Sequence, residues 1–256
     1  MRKGLLAVLV ILTALLSFAP QAQASSFLRI DVSGTTVVCD NSVAACGAGF
    51  TTAIGSNSIQ FTGTINGVNF GGAGIVGVQL FGNSPGTSAL AFVLDSATAV
   101  ANVSGAARMV TIDFGQNNFT QPVGTGFLTA SQTANWTLST AGDNQAFTAW
   151  HRADNAFIIP GAGAGGTTAI APLCVSAGGN DSCASQTPDV PGNPAAPFSL
   201  TGRQVISMAP GTIASYTGTS VLTAQPITTV PEPGSMLLIG AGLLLLAGRQ
   251  TLARRK

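Results

Sequence analysis

The residues between Ser25 and Thr229 include neither lysine nor glutamate. Both are among the residues that favour helices. This segment is instead rich in glycine, serine, threonine, alanine and asparagine, with valine, isoleucine and phenylalanine spaced along it. Such a composition disfavours helices and favours strands and turns. The central segment is therefore predicted to fold as an all-β domain.

The charge of the chain excludes several classes of protein. Only 7% of the residues are charged, against about a quarter in an average soluble domain. The central segment carries four arginines against eight aspartates, a net charge of −4. Nucleic-acid binding is excluded because it needs a dense lysine and arginine surface. Charge-driven disorder is excluded as well. A polytopic membrane protein does not fit, since the only apolar runs lie at the two ends.

Alternating hydrophobicity supports the β prediction. Ile59, Phe61 and Ile65 alternate with polar residues, which is typical of a half-buried strand. Asn66-Gly67 follows, a strong signal for a tight hairpin turn. Other predicted strands are Phe27–Val32, Gly74–Phe81, Ala89–Leu94, Ala107–Phe114, Gly126–Ser131, Ala134–Ser139, Ala146–His151, Gly202–Met208, Thr212–Tyr216 and Thr219–Thr223. The pattern predicts an antiparallel β-sandwich or jelly roll, and Ser96–Ala107 is the one place where a helix is half expected.

The N-terminus has the features of a secretory signal peptide over residues 1–24. Arg2 and Lys3 precede an uncharged apolar stretch that Pro20 ends. Ala22 and Ala24 provide the small residues that signal peptidase needs, so we place the cut after Ala24. The signal is expected to form a helix during export by Sec-type machinery. An uncleaved anchor is the alternative, but the stretch is short for a span of about 20 residues.

The C-terminus has three successive parts. A linker at 227–235 contains Pro231, Glu232 and Pro233, and its prolines disfavour a helix. Residues 236–248 form an apolar run long enough for a short transmembrane helix of roughly 20 Å. Residues 249–256 form a basic tail, which the positive-inside rule keeps in the cytoplasm. With an N-terminal signal peptide, this predicts that the middle of the chain lies outside the inner membrane.

This tail resembles the PEP-CTERM sorting signal of Gram-negative bacteria. In that signal a Pro-Glu-Pro motif, here Pro231, Glu232 and Pro233, precedes a short hydrophobic helix and an arginine-rich end. The resemblance implies processing by an exosortase, a membrane-embedded cysteine protease, in an organism that makes extracellular polysaccharide. It covers about a tenth of the chain. It implies how the protein is sorted and not what the attached domain does. An ordinary tail anchor that happens to contain this motif is the alternative.

Residues 25–226 are predicted to form one exported domain, with a loop insert at 160–197 that is rich in glycine, alanine and proline. Four cysteines form two close pairs in sequence: Cys39, Cys46, Cys174 and Cys183. In an exported chain an even number of cysteines favours disulfides. Three pairings are possible, and local pairing is the simplest. A zinc site is the alternative, but the spacing and the single histidine do not suit it.

The most polar group near aromatic residues is Trp150-His151-Arg152, followed by Asp154. His151 could act as a general base oriented by Asp154, although no activated nucleophile is evident. A solvated strand end with an Arg–Asp pair is the simpler interpretation. As ligand contacts we consider Trp150, His151 and Tyr216, since aromatic rings can stack on a sugar. Trp136 is expected to be in the core.

Three further motifs are expected to be turns. Gly82–Gly86 matches a hydrolase Gly-x-Ser-x-Gly elbow, but Pro85 lacks the N–H that an oxyanion hole needs. The Gly-x-Gly-x-x-Gly pattern occurs twice, first at Gly72, Gly74 and Gly77 and then at Gly161, Gly163 and Gly166. Both matches lack the preceding strand and following helix of a dinucleotide site. Scattered Asp-Asn pairs could hold Ca²⁺ but lack the spacing of a calcium loop.

The sequence therefore favours a non-enzymatic exported protein of the cell surface or extracellular matrix. Its expected partners are signal peptidase, an exosortase-type protease, the inner membrane and extracellular polysaccharide, with no cofactor, metal or nucleic acid. A carbohydrate-binding module and a secreted hydrolase are the two alternatives.

Overall fold

The computed structural model describes residues 24–42, 46–53, 55–72 and 74–225. The predicted sorting motif, transmembrane helix and basic tail lie outside these residues, as does the predicted signal peptide except for Ala24. The described residues form strands and loops with no helix. None of them therefore belongs to a helix long and apolar enough to cross a membrane.

The described residues contain the following strands in chain order: β1 (Ser26–Val32), β2 (Thr35–Asp40), β3 (Phe50–Thr52), β4 (Ser58–Phe61), β5 (Gly63–Ile65), β6 (Val68–Gly72), β7 (Ile75–Val76), β8 (Val78–Gly82), β9 (Leu90–Asn102), β10 (Arg108–Phe119), β11 (Gly126–Leu138), β12 (Asn144–Arg152), β13 (Thr167–Ile170), β14 (Cys174–Val175), β15 (Asp181–Gln186), β16 (Val190–Gly192), β17 (Phe198–Met208) and β18 (Ile213–Ala224).

The strands form two antiparallel sheets that pack face to face. The first sheet has the order β13-β12-β17-β10-β1-β2, and β14 also pairs with β12. The second sheet has the order β15-β11-β18-β9-β8-β4-β3, with β16 beside β11 and a β5–β6 hairpin beside β9. The fold is thus an all-β antiparallel sandwich, which confirms the predicted class.

The core lies between the two sheets and follows from alternation along the long strands. On β11, every second side chain from Leu128 to Trp136 is buried. Within the first sheet, Phe114 on β10 stacks on Phe147 on β12, with ring centroids 5.9 Å apart. Gly202 leaves room for this pair, because a Cβ there would lie 2.5 Å from the Phe114 ring. The period of two visible in the sequence therefore matches the burial pattern.

The Asn66-Gly67 turn is confirmed. It connects β5 to β6, and φ is 44° at Asn66 and 76° at Gly67. Positive φ at both central residues is what a type I′ turn requires. Asparagine and glycine are the residues that tolerate this conformation best.

The helix expected within Ser96–Ala107 is wrong over most of that segment. The chain continues as strand β9 to Asn102, paired with β18 and β8. Alternation brings Ala97 into the core, and a bulge with positive φ at Ala99 then brings in Val100. Burial between two neighbouring strands outweighs the helix propensity of alanine, which is a weak local preference.

Long strands replace two predicted pairs of short ones. Gly126–Leu138 runs through both predicted segments of β11, and Ile213–Ala224 does the same for β18. The 160–197 segment contains four short strands, β13 to β16, for which the sequence showed no pattern. These strands lie at the sides of the sheets, where little alternation is needed because few side chains are buried.

Both disulfides form by local pairing, as the sequence favoured. Cys39 is bonded to Cys46, and Cys174 is bonded to Cys183. Cys174 lies on β14, which pairs with a strand of the first sheet, whereas Cys183 lies on β15 of the second sheet. This bridge therefore joins the two sheets at one side of the sandwich.

Candidate functional site

His151 lies near the end of β12 and points into the core. Its side chain is fully buried and meets the Phe198 ring edge to face, with ring centroids 5.2 Å apart. Neither ring nitrogen has a hydrogen-bond partner among the described residues. Burial lowers the pKa of His151 to about 4. The histidine is therefore neutral at neutral pH. His151 does lie at a strand end, but the solvent exposure expected for it is wrong because the core, including Phe198, covers its side chain.

Arg152 and Asp154 do form the expected pair, but the arginine is buried. Its Nε donates to Asp154 Oδ1 at 3.0 Å, and Nη2 donates to the other carboxylate oxygen. Nη1 donates to the backbone carbonyls of Ile158 and Gly161. The hydrogen bonds that Asp154 accepts from Arg152 lower the pKa of its carboxyl. Arg152 thus holds the loop after β12 in place, and Asp154 orients Arg152 instead of His151.

The aromatic residues considered as ligand contacts lie inside the protein. Tyr216 is fully buried and packs edge to face on Trp136, with ring centroids 6.3 Å apart. Burial raises the pKa of the Tyr216 hydroxyl. Trp150 is buried as well. The contacts predicted at Trp150, His151 and Tyr216 therefore need correction, because sheet packing leaves none of these side chains exposed enough to stack on a sugar.

The hydrolase-like elbow is a turn between β8 and β9, as expected. Ser84 is buried, and its Oγ donates to the carbonyl of Asn117 at 2.8 Å. Its backbone N–H donates to Gln116 Oε1 at 3.3 Å. The hydroxyl is thus engaged by backbone and is not aligned with a base. The two glycine-rich motifs likewise lie in loops and short strands, and no helix follows them in the described chain.

Two of the aspartates expected in turns, Asp143 and Asp181, are held by hydrogen bonds from backbone N–H and hydroxyl groups. Asp143 accepts from the N–H groups of Thr140 and Ala209 and from the Thr212 hydroxyl. Asp181 accepts from two backbone N–H groups, which lower its pKa. Within the described ranges, no three histidine, cysteine or acidic side chains come together as a metal site.

Two polar arrangements were not predicted from the sequence. On the outer face of the first sheet, Asp113 is buried between Arg29 and Arg203. Arg203 donates to both carboxylate oxygens, at 2.6 and 3.1 Å. These three residues are direct cross-strand partners on β1, β10 and β17. No local sequence signal could reveal them, because the grouping depends on the register of distant strands.

The second arrangement crosses the core between the sheets. Gln204 donates to the fully buried carboxyl of Asp95 at 2.6 Å, and Gln145 donates to Gln204 Oε1 at 2.9 Å. Burial raises the pKa of Asp95 well above its usual value. Buried polar networks of this kind favour one specific alignment of the packed sheets. Asp95 has no exposed surface with which to meet a substrate.

Comparison with known proteins identifies the C-terminus. The family model described as the PEP-CTERM protein-sorting motif matches residues 229–256. This chain carries a PEP-CTERM sorting motif. The motif implies an exported protein that is anchored transiently in the membrane, sorted by an exosortase and destined for the cell surface or the extracellular space. It confirms the resemblance proposed from Pro231, Glu232 and Pro233.

Three solved structures show a distant similarity to this chain. TmCBM61 in complex with β-1,4-galactotriose is 8% identical, with a TM-score of 0.29 over 57% of this chain and 88% of that one. A structure of infectious bursal disease virus Gx strain is 10% identical, with a TM-score of 0.27 over 83% of this chain and 53% of that one.

A third structure concerns carbohydrate-binding modules of the β-sandwich superfamily and is 12% identical, with a TM-score of 0.26 over 75% of this chain and 83% of that one. TM-scores this low support no argument about ancestry or ligand. No curated protein matches the chain.

Proposed function

We propose that this protein is a non-enzymatic component of the cell surface or extracellular polysaccharide matrix, exported by a Sec-type route and cleaved by signal peptidase and an exosortase-type protease. The observation that carries the proposal is the sorting motif at residues 229–256. The domain has the character of an extracellular protein, because its cysteines form two disulfides.

The buried state of the candidate site supports a non-catalytic role. A general base must reach the proton that it removes, within about 3 Å or through one water. His151 is enclosed by the core and neutral, so it does not meet that requirement in this structure. A carbohydrate-binding role would need a surface other than Trp150, His151 and Tyr216.

The sorting part of the proposal is tested in the C-terminal motif. We compare the full chain with Glu232→Gln and with a truncation after Thr229, using Ser235→Ala as a control outside the Pro-Glu-Pro motif. Cells with and without the processing protease are fractionated, and the apparent mass of the protein is measured. We expect the wild type and the control to be shortened and to reach the surface or medium only when the protease is present.

Glu232→Gln and the truncation should change processing, final location or both. If Glu232→Gln reaches the same fraction at the same mass as the wild type, and the location of the truncated chain still depends on the protease, the sorting function is wrong.

A further inference from the structure

The first sheet ends in two edge strands that lack the usual protection against pairing. In the described part of the chain, β2 pairs only with β1, and β13 only with β12. Natural edge strands are commonly guarded by lysine, proline or inward-pointing charge. Neither β2 nor β13 contains lysine or proline, and Asp40 is the one charged residue in the two strands. In the second sheet, by contrast, edge strand β3 has only 3 residues.

Hydrogen bonds at the two edges show which backbone groups face outwards. The N–H of Asn41 donates to the carbonyl of Ser26, and that of Ala171 donates to the carbonyl of Phe147. In an antiparallel pair, alternate residues direct their N–H and C=O groups to the neighbour. The N–H and C=O groups of Asn41 and Ala171 point to the neighbouring strand, so the backbone groups one and three residues before them point to the free edge. These residues are Asp40 and Val38 on β2 and Ile170 and Thr168 on β13.

The side chains at these edges are apolar and exposed. Val38 is 46% exposed and Ile170 is 67% exposed. Both residues belong to one cross-strand row on the outer face of the sheet. The row consists of Val38, Arg29, Asp113, Arg203, Thr148 and Ile170. The two edges thus present β-branched side chains at the same height of the sheet.

Strand direction makes the edges complementary to each other. Each of the six strands in the path is antiparallel to the next, so β2 and β13 run in opposite directions. A second copy shifted sideways along the sheet would bring its β13 antiparallel to β2 of the first copy. Val38 would then form a hydrogen-bonded pair with Ile170, and Asp40 with Thr168. No like charges meet in this arrangement.

We propose that copies of this protein pair edge to edge, β2 of one copy with β13 of the next, to form an open filament. The partner at each edge is a second copy because the two edges match each other in three respects. They run in opposite directions, Val38 and Ile170 lie in the same cross-strand row, and the backbone groups of both residues point outwards. Because this contact joins two different surfaces, an assembled pair still has one free β2 edge and one free β13 edge. Further copies can therefore add at both ends. Strand twist of about 20–25° rotates successive copies by roughly 130° over six strands.

Directed crosslinking tests the pairing. Val38→Cys and Ile170→Cys are made separately in the full chain, recovered from the host after export, and mixed under mild oxidation. The Cα atoms of a hydrogen-bonded antiparallel pair are about 5.5 Å apart, within the range for a disulfide. We expect covalent dimers from the mixture and none from either variant alone. A Val103→Cys and Ile170→Cys mixture is the control, since Val103 is 63% exposed but lies outside both edges.

Dimers from Val38→Cys alone would indicate a symmetric contact and overturn the proposal, as would a mixture that forms no dimers. A second measurement does not depend on new thiols. Sedimentation velocity of the exported protein should show assemblies that grow with concentration for the wild type and Val103→Lys, and single chains for Ile170→Lys. Equal assembly of Ile170→Lys and the wild type would overturn the proposal. These outcomes are independent of tail processing, which the Glu232 experiment measures.

Discussion

Two ionisable side chains in the core respond to pH in opposite directions. The pKa of His151 is lowered by burial, whereas that of Asp95 is raised. Below its ordinary pKa of 6.5, His151 binds a proton more readily in the unfolded chain than in the folded one. It therefore contributes stability that is complete above that pH and is lost as the pH falls towards 4. Asp95 contributes stability at low pH that is lost as the pH rises through its raised folded pKa.

A His151→Leu variant tests this linkage. From pH 7 to 4.5 the wild type should lose more unfolding free energy than the variant, by an amount on the order of 2–3 kcal/mol. Urea denaturation at several pH values measures the difference. Asp95→Asn serves as a comparison, since it removes only the contribution of opposite sign. Parallel pH curves for the wild type and His151→Leu would show that His151 is not buried in its neutral form.

At the scale of elements, the bridge between β14 and β15 is notable because the two strands pair with different sheets. Cys174 and Cys183 are separated by 9 positions, and β14 has only 2 residues. Strands this short contribute few ladder hydrogen bonds of their own. We infer that the disulfide holds this side of the sandwich closed.

Replacing both Cys174 and Cys183 with alanine should lower the unfolding free energy by about 2–3 kcal/mol, because the unfolded chain regains the freedom of a short loop. Hydrogen exchange should increase most in β13 to β16. The Cys39→Ala, Cys46→Ala double variant is the matched control, and its faster exchange should be confined to β2 and β3. Unchanged exchange in β13 to β16 would contradict the assignment.

At the scale of the whole molecule, the scarcity of charge means that electrostatics contributes little to stability. The described residues contain ion pairs only around Asp113 and between Arg152 and Asp154. Asp113 is buried, so salt screens its interactions with Arg29 and Arg203 less than it would screen those of an exposed ion pair. The fold is therefore held mainly by the packed core and by sheet hydrogen bonds.

We expect the thermal midpoint at neutral pH to change by less than about 4 °C between low salt and ~0.5 M NaCl, since exposed ion pairs contribute about 0–1 kcal/mol. Sodium sulfate should raise the midpoint, because excluded salts strengthen apolar burial. Calorimetry in the two salts measures both effects. A large shift in NaCl would show that charge interactions dominate.

The features predictable from sequence are those encoded by neighbouring residues. The sheet class follows from alternation and from the composition of the central segment, and the β5–β6 turn follows from Asn66-Gly67. The spacing of the cysteines makes local disulfide pairing the simplest of the three possibilities. The sorting motif is a contiguous signal, so it too could be recognised without a structure. In each case the signal is carried by composition or by residues that are contiguous or closely spaced in the chain.

The tertiary structure alone decided what depends on the pairing of distant strands. The burial of Trp150 and His151, the strand at Ser96–Asn102, and the position of Asp113 between two arginines all follow from register. A strand's alternation distinguishes its two faces, but it does not show which face meets another sheet or what covers the other one. Only the assembled sandwich fixes those neighbours, because burial depends on contacts between segments that are far apart in the chain.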